Sequence, residues 1–262
     1  MKSPIKWAGG KAWLLPHLEK HFPWIRERRI VEPFAGGAAF SLGIEPKRAL
    51  LNDKCLPLME FWSAVKQGHD LVLPEAENTK ESYLEERHRF NDRRRSYLNA
   101  SLQFYYLNRH CFNGLYRENS KGESNVPFGK YDNPQYGFDV APYAKLMEEW
   151  QIMSEDFETV HMRIDDFVFS DPPYDEGYTG YVAGGFSWAD QLRLAHWLAE
   201  RPGPVLTTNR VTDRILDLYT SHGFQIEILP APRRISCDGD RSPVNEMLAY
   251  RGFPASLKLF NK

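Results

Sequence analysis

A chain of 262 residues that is 42% hydrophobic and 14% aromatic is long enough for one large α/β domain, or for a domain carrying a sizeable insertion, around a substantial core. A net charge of −2 argues against a wholly basic nucleic-acid binder, and no apolar run approaches the roughly 18–20 residues of a membrane span. Cys55, Cys111 and Cys237 are scattered and odd in number, unlike a disulfide framework or a metal site, and Met1-Lys2-Ser3-Pro4 shows no secretion signal, so a reducing cytoplasm is the expected compartment.

In chain order, the first string of interest is Lys6-Trp7-Ala8-Gly9-Gly10-Lys11. Trp7 could stack on an adenine and Lys11 could reach a carboxylate; taken alone, the string reads as a loose N-terminus with one buried tryptophan. Arg29-Ile30-Val31 is expected as a strand entering the turn Glu32-Pro33-Phe34-Ala35-Gly36-Gly37, with a helix starting over Ala38–Leu42. Ala49–Leu51 is a second strand ending in Asn52-Asp53, and Leu56–Val65 is helical. This β-turn-helix-β unit suits a nucleotide-type cofactor. The turn lacks both the GxGxxG spacing and a Walker lysine–serine pair, so pyrophosphate binding is not supported. Its small residues allow close approach to the backbone, and Asp53 is placed to grip a ribose diol. S-adenosylmethionine fits that description; an ordinary tight βα turn is the other reading.

Ser82–Leu107 carries apolar positions at helical spacing and is expected to form one or two helices. Between Lys80 and Lys130 there are ten Lys and Arg against six Asp and Glu. A local basic face is the signature of phosphate contact, although the interleaved Glu85, Glu86 and Asp92 also suit a solvated helix face. His110–Tyr136, with Asn113-Gly114, Lys121-Gly122, Phe128-Gly129 and Asn133-Pro134, reads as a turn-rich module, a hairpin with long loops. A helix over Pro142–Trp150 and a strand over Gln151–Met153 follow.

The apolar run Phe167-Val168-Phe169 stops at Ser170-Asp171-Pro172-Pro173-Tyr174. Two prolines without N–H groups end a buried strand and stiffen the turn after it. That turn sets a carboxylate, carbonyls and an aromatic ring at a sheet's carboxyl edge, where open α/β sheets bind ligands. Such acceptors beside a ring suit a planar base with an exocyclic amino group; DPPY by itself is more often a plain turn. Ser187 should cap a helix over Trp188–Glu200. A strand over Pro204–Thr208, a helix over Asp213–Thr220 and strands over Phe224–Leu229 and Glu246–Tyr250 complete the chain, the last two flanking an arginine-bearing loop, 233–241. Strands alternating with helices predict a doubly wound α/β sheet, mostly parallel with an antiparallel C-terminal hairpin. Residues 1–55 and 141–262 are expected to form its body and 56–140 an inserted helical and hairpin lobe.

KWAGGK, VEPFAGG, LND, FYYLNRHCFNGLYRENSKGESNVPFGKY and SDPPY occur in that order, and the chain closely resembles the Dam family of DNA adenine N6-methyltransferases, the α group of amino-methyltransferases. The resemblance runs from about Ile5 to Tyr250. It implies a Rossmann-like S-adenosylmethionine-dependent sheet and a target-recognition insertion. Trp7, Ala8, Gly9 and Lys11, the turn residues Glu32, Phe34, Ala35, Gly36 and Gly37, the ribose-holding Asp53, and Asp156-Phe157 would bind the cofactor, with Asp171 also facing it. Asp171, Pro172 and Tyr174 would hold the target base. Phe112 stands where the family places an aromatic that wedges into the duplex, often a tyrosine, with Asn113 beside it. Leu115, Arg117 and Pro127 occupy base-reading positions and Lys6 one for a flanking base, with Asn108 and Arg109 of the LNR run among the DNA-binding set. Arg117 is the natural guanine reader, since a guanidinium can bond O6 and N7 together. Phosphate contacts are expected from Arg87 to Arg95, Arg95 included, and from Arg233, Arg234 and Arg241.

These roles imply adenine-N6 methylation of double-stranded DNA, at GATC or a longer site containing GAT, by a monomer that needs no metal and no membrane. The segment Glu176–Phe186 would close over the flipped base. The rival readings are cytosine N4 or RNA adenine as acceptor, a silent DNA-binding regulator, and a small-molecule methyltransferase; Asp before the two prolines leans toward adenine.

Overall fold

The computed structural model describes residues 1–92, 96–175, 185–232 and 244–254. Strands β1 (Ile30–Glu32), β2 (Ala49–Asn52), β3 (Gln151–Met153), β4 (Phe167–Ser170), β5 (Val205–Arg210), β6 (Gln225–Ala231) and β7 (Val244–Arg251) form one sheet in the order β3-β2-β1-β4-β5-β7-β6. The first five strands of that order are parallel, and β7 runs antiparallel between β5 and β6. Strands β1, β2 and β4 are buried along their whole length, which is why they read as continuous apolar runs rather than as alternation. The chain leaves β1 toward β2 and β3 on one side and returns with β4 on the other. A crevice therefore opens at the carboxyl ends of β1 and β4, the topological switch point.

Both faces of the sheet are covered. Ile30, Leu51 and Phe167 point into one core with Phe40, Leu58 and Trp62. Val31, Leu50, Val168 and Val205 point into another with Leu194, Leu198 and Ile215. Helix α8 (Trp188–Ala199) starts as the sequence indicates, on a Ser187 capping box closed by Asp190. Helix α9 (Asp213–Ser221) is capped by Thr212.

The N-terminal segment is ordered, against the loose N-terminus suggested by KWAGGK alone. A 3-10 turn, Lys11–Trp13, leads into the short helices α1 (Leu15–Leu18) and α2 (Phe22–Arg26), each with proline in its first turn. Helices of four or five residues are too short for apolar periodicity to register. Helix α3 (Ala39–Ile44) follows the glycine turn, and α4 (Leu56–Lys66) follows β2.

The charged stretch is two helices, α5 (Lys80–Asn91) and α6 (Tyr97–His110). Their core is continuous with the body, because Phe61 on α4 packs against Phe104 and Tyr105 of α6 at ring-centre distances of 5.8 and 5.7 Å. The expected hairpin over His110–Tyr136 is not a ladder. It is a loop folded back on itself through two isolated antiparallel bridges, Cys111 with Phe128 and Glu118 with Ser124. Side chains add to its few cross-loop backbone bonds: Asn119 Oδ1 accepts from the Lys121 and Glu123 N–H groups, and the Asn91 side-chain amide donates to the Ser124 carbonyl and accepts from its N–H. Helix α7 (Ala141–Leu146) is shorter than the expected Pro142–Trp150, because Trp150 turns inward and its Nε1 donates to the Pro46 carbonyl at 3.1 Å.

Candidate active site

A cavity of about 320 Å³ opens at the carboxyl ends of β1, β2 and β4. Trp7, Ala8, Gly9, Lys11, Glu32, Phe34, Ala35, Gly36, Gly37, Asp53, Asp156, Phe157 and Asp171 all line it, as do Pro172 and Tyr174. The sheet thus brings together fifteen residues drawn from five separate stretches of sequence. A groove of about 1330 Å³ adjoins the cavity, and Trp7, Tyr174 and Glu246 border both.

The glycine turn is held from three sides. Asp53 at the end of β2 accepts from the Gly36 N–H at 3.0 Å and from the Cys55 N–H at 3.0 Å. Trp62 Nε1 on α4 donates to the Gly36 carbonyl at 2.9 Å. Trp7 lies so close across the turn that a Cβ on Gly36, whose φ is +49°, would stand 2.8 Å from the indole ring. Only glycine suits that backbone and that contact. Burial raises the Asp53 carboxyl, and the two N–H donors oppose the shift. Glu32 lies deeper and accepts from the Ser41 N–H at 2.9 Å. Burial pushes it up to about 8; hydrogen bonds from Ser41 counter this, and the nearby Asp171 adds to it.

At the end of β4, Asp171 Oδ1 accepts from Thr208 Oγ1 on β5 at 2.6 Å and faces Lys11 Nζ at 3.0 Å. Among the described residues nothing hydrogen-bonds Asp171 Oδ2 or the Pro172 carbonyl. The Pro173 carbonyl, by contrast, is taken by Gln191 Nε2 at 2.9 Å, and Gln191 Oε1 accepts in turn from Asn209 Nδ2 at 3.0 Å. Asp175, just beyond the turn, is gripped by Arg214 of α9 and by Thr212, the cap of that helix. The turn is therefore clamped by β5, α8 and α9, and its two acceptors without a partner among the described residues belong to residues that line the cavity. Tyr174 donates its hydroxyl to Glu246 Oε2 on β7 at 2.9 Å. Burial raises both groups, and Lys11 opposes the shift at Glu246.

The far wall is aromatic. Phe34 packs on Phe157 at 5.5 Å and edge-on to Phe186 at 5.6 Å. Arg193 of α8 lies over the Phe157 ring at 4.9 Å and pairs with Asp156 at 3.0 Å, fixing the turn that carries both residues. The sequence reading did not single out Arg193 or Glu246, and it has Phe186 only as the end of the segment expected to close over the flipped base. Phe186 stands between turn residues and a helix cap, and Glu246 sits in a strand with no motif around it. A lone acidic residue directly before the apolar run Met247-Leu248-Ala249 is the signal that could have drawn attention to Glu246.

The expected DNA-contacting residues divide into two groups. Phe112 is 47% exposed, and Arg117 and Pro127 are exposed on the same folded-back loop. Asn113, with φ +54°, donates its N–H to Tyr131 Oη at 2.8 Å, and Leu115 is half-buried beside it. Arg117 rests on Asn125, its Nε 2.6 Å from Oδ1. Asn108 and Arg109 turn inward. Asn108 accepts from the Lys6 N–H at 2.9 Å and donates to the Lys6 carbonyl at 2.7 Å, and Arg109 donates to the Pro4 and Pro134 carbonyls. Asn108 thereby holds Lys6, whose ammonium lies 3.9 Å from the Tyr131 ring centre and which borders the larger groove. Of the arginines expected on phosphate, Arg87 donates to the Val126 carbonyl and Arg89 pairs with Glu85 and Glu86. Arg93, Arg94, Arg95, Arg233, Arg234, Arg241 and residues 176–184 lie outside the described residues.

Among the described residues no cluster of three or more His, Cys, Asp or Glu could hold a metal ion, and no helix is long and apolar enough to cross a membrane. The family model for D12 class N6 adenine-specific DNA methyltransferases matches residues 7–233. The chain is 35% identical over 256 residues to a DNA N-6-adenine-methyltransferase of Escherichia phage P1, a match covering 91% of this chain and 34% of the phage protein. It is 33% identical over 277 residues to the type II methyltransferase M.MjaIII of Methanocaldococcus jannaschii, covering 92% and 95% of the two chains. Against the DNA adenine methylase of Escherichia coli K12 it is 33% identical over 265 residues, covering 94% and 93%. The chain thus spans about a third of the phage protein's length and nearly the whole of the other two.

Proposed function

This chain belongs to the D12 class of N6 adenine-specific DNA methyltransferases, and on that premise we propose that it transfers a methyl group from S-adenosylmethionine to N6 of an adenine extruded from duplex DNA. The observation that carries the reading is the shared cavity. Asp171 and Pro172 line the same space as the Gly36-Gly37 turn, Asp53 and the aromatic wall. A base and a nucleoside-bearing cofactor can meet there.

The lining suits that cofactor. The glycine turn excludes side chains, Phe34, Phe157 and Phe186 offer apolar faces, and Asp171 favours a cation. Trp7, Gly36, Gly37, Asp53, Asp156 and Phe157 would hold it. When bound it supplies a methyl group on a sulfonium, an electrophile whose leaving group needs no protonation.

The rest of the reaction falls to this chain's residues. The target nitrogen cannot be reached inside the stack, and extrusion costs a few kcal/mol. Stacking on Tyr174 offsets roughly 1–3 kcal/mol of that. Asp171 Oδ2 and the Pro172 carbonyl accept the two N–H groups of the exocyclic amine. This draws its lone pair out of conjugation with the ring and stabilises the positive charge that develops on nitrogen. Residues 56–140 serve recognition: Phe112 wedges into the duplex, Arg117 reads guanine, and Leu115, Pro127 and Lys6 contact neighbouring bases. The site is GATC or a longer sequence containing GAT, and Arg95, Arg233 and Arg234 contact phosphates. The protein acts as a cytoplasmic monomer bound to the nucleoid.

Labelled methyl transfer to duplex DNA, followed by mapping of the modified base, tests this. Label on adenine N6 within GATC is expected. Label on adenine elsewhere keeps the chemistry and discards the site; label on cytosine or only on RNA overturns the reading. Asp171→Ala is expected to abolish turnover while calorimetry still detects cofactor binding, and loss of folding instead would make Asp171 structural.

A further inference from the structure

Lys11 is 3% exposed, and its ammonium sits among four groups. Its Nζ donates to the Gly9 carbonyl at 2.5 Å, stands 3.0 Å from Asp171 Oδ1 and 3.8 Å from Glu246 Oε2, and lies 5.0 Å from the centre of the Tyr174 ring. Glu246 Oε2 is also the acceptor of the Tyr174 hydroxyl. One carboxylate on β7 therefore touches both the ring expected to stack on the base and the cation that neutralises the expected catalytic carboxylate.

We propose that Glu246 is a positioning residue for the methyl transfer, fixing Tyr174 through its hydroxyl and offsetting the Lys11 ammonium so that Asp171 keeps its full effect on the reacting amine. The proposal rests on the methyltransferase reading above. A lone Asp171–Lys11 pair is electrically neutral, and a neutral pair does little for a nitrogen that gains positive charge. The second carboxylate returns the buried cluster to a net negative charge, in a place shielded from water where that charge counts most. The geometry explains why a lysine can stand beside a carboxylate that must favour a cation. Lys11 holds Asp171 in register against Thr208, and Glu246 cancels the electrostatic cost of doing so. Glu246 touches neither base nor cofactor in this account; it acts through Lys11 and Tyr174.

The test is a charge cycle with Glu246→Gln, Lys11→Met and the double variant, assayed by single-turnover methyl transfer at saturating DNA and cofactor. Binding is followed in parallel with duplexes carrying 2-aminopurine at the target position. Glu246→Gln is expected to slow transfer roughly 10- to 100-fold, with the 2-aminopurine signal and DNA affinity within about 3-fold of wild type. Adding Lys11→Met is expected to recover part of that loss, since it removes the uncompensated cation. A rate unchanged in Glu246→Gln, or losses that simply multiply in the double variant, overturns the proposal. Glu246→Gln keeps an acceptor for the Tyr174 hydroxyl and removes only the charge; should it fail to fold, Tyr174→Phe removes the hydrogen bond itself. It is expected to change the 2-aminopurine intensity, and an unchanged intensity overturns the positioning role. A wild-type protein that methylates no DNA overturns the function and this inference together, whereas an active wild type with a multiplicative cycle overturns the inference alone.

Discussion

Glu32 shows how one buried group can set a pH dependence. Its carboxyl is raised to about 8 by burial, against roughly 4.3 in an unfolded chain. The folded state therefore holds the proton more tightly than the unfolded state does. The stability this confers is fully present below the unfolded value and is lost as pH climbs through about 8. Glu32→Gln is expected to flatten the fall in stability between pH 5 and 8, removing a slope of up to about 1.4 kcal/mol per pH unit. Urea unfolding at stepped pH measures it; equal slopes in the two proteins would mean that Glu32 is already ionised when folded. The same carboxyl lines the cavity, so a cation arriving there should favour its charged form.

At the scale of elements, the folded-back loop from Cys111 to Phe128 carries the exposed Phe112 and Arg117 and is closed by isolated bridges rather than a ladder. The short turn Phe112–Gly114 places two consecutive positive φ angles, at Asn113 and Gly114, and so projects Phe112 from the surface. Arg117 sits across the loop, steadied by Asn125. Arg117→Ala is expected to relax discrimination at one guanine position by roughly 1–3 kcal/mol while leaving the methylation rate on the best substrate little changed. Competition between substrates that differ at single base pairs is the measurement, and uniform weakening across all of them would reduce Arg117 to a phosphate contact. This loop also marks where the sequence stopped being legible. The strands and long helices were readable because apolar runs and caps are local signals, as with Phe167–Phe169 and Ser187. The cavity residues were readable because they cluster in short motifs. The inward turn of Asn108 and Arg109 was not, since a polar residue beside a recognition motif looks the same whether it faces DNA or the Lys6 backbone. Glu246 was missed for a related reason: its partners, Lys11 and Tyr174, lie far away in the chain and meet it only once the sheet has formed.

For the whole molecule, charge is unevenly spread, with the Lys80–Lys130 stretch basic inside a chain of net charge −2. Duplex binding is therefore expected to depend steeply on salt. Several neutralised phosphates correspond to a loss of at least about 10-fold in affinity between 50 and 200 mM. A titration that stays flat over that range would remove the arginines from the phosphate contacts. The two parts of the molecule meet at Lys6 and Trp7. Lys6 is tied by its backbone to Asn108 and is pressed against Gly114, where a Cβ would stand 2.2 Å from the lysine Cβ. Trp7 stacks on Tyr116 at 6.1 Å and covers the Gly36 turn on its other face. This arrangement sets an order of events during synthesis. Lys6 emerges 102 residues ahead of Asn108, on the order of ten seconds at ribosomal speed, so the segment made early must wait for its partners. A nascent chain stalled between those two points would carry an unshielded tryptophan, and that interval is when a chaperone would find it.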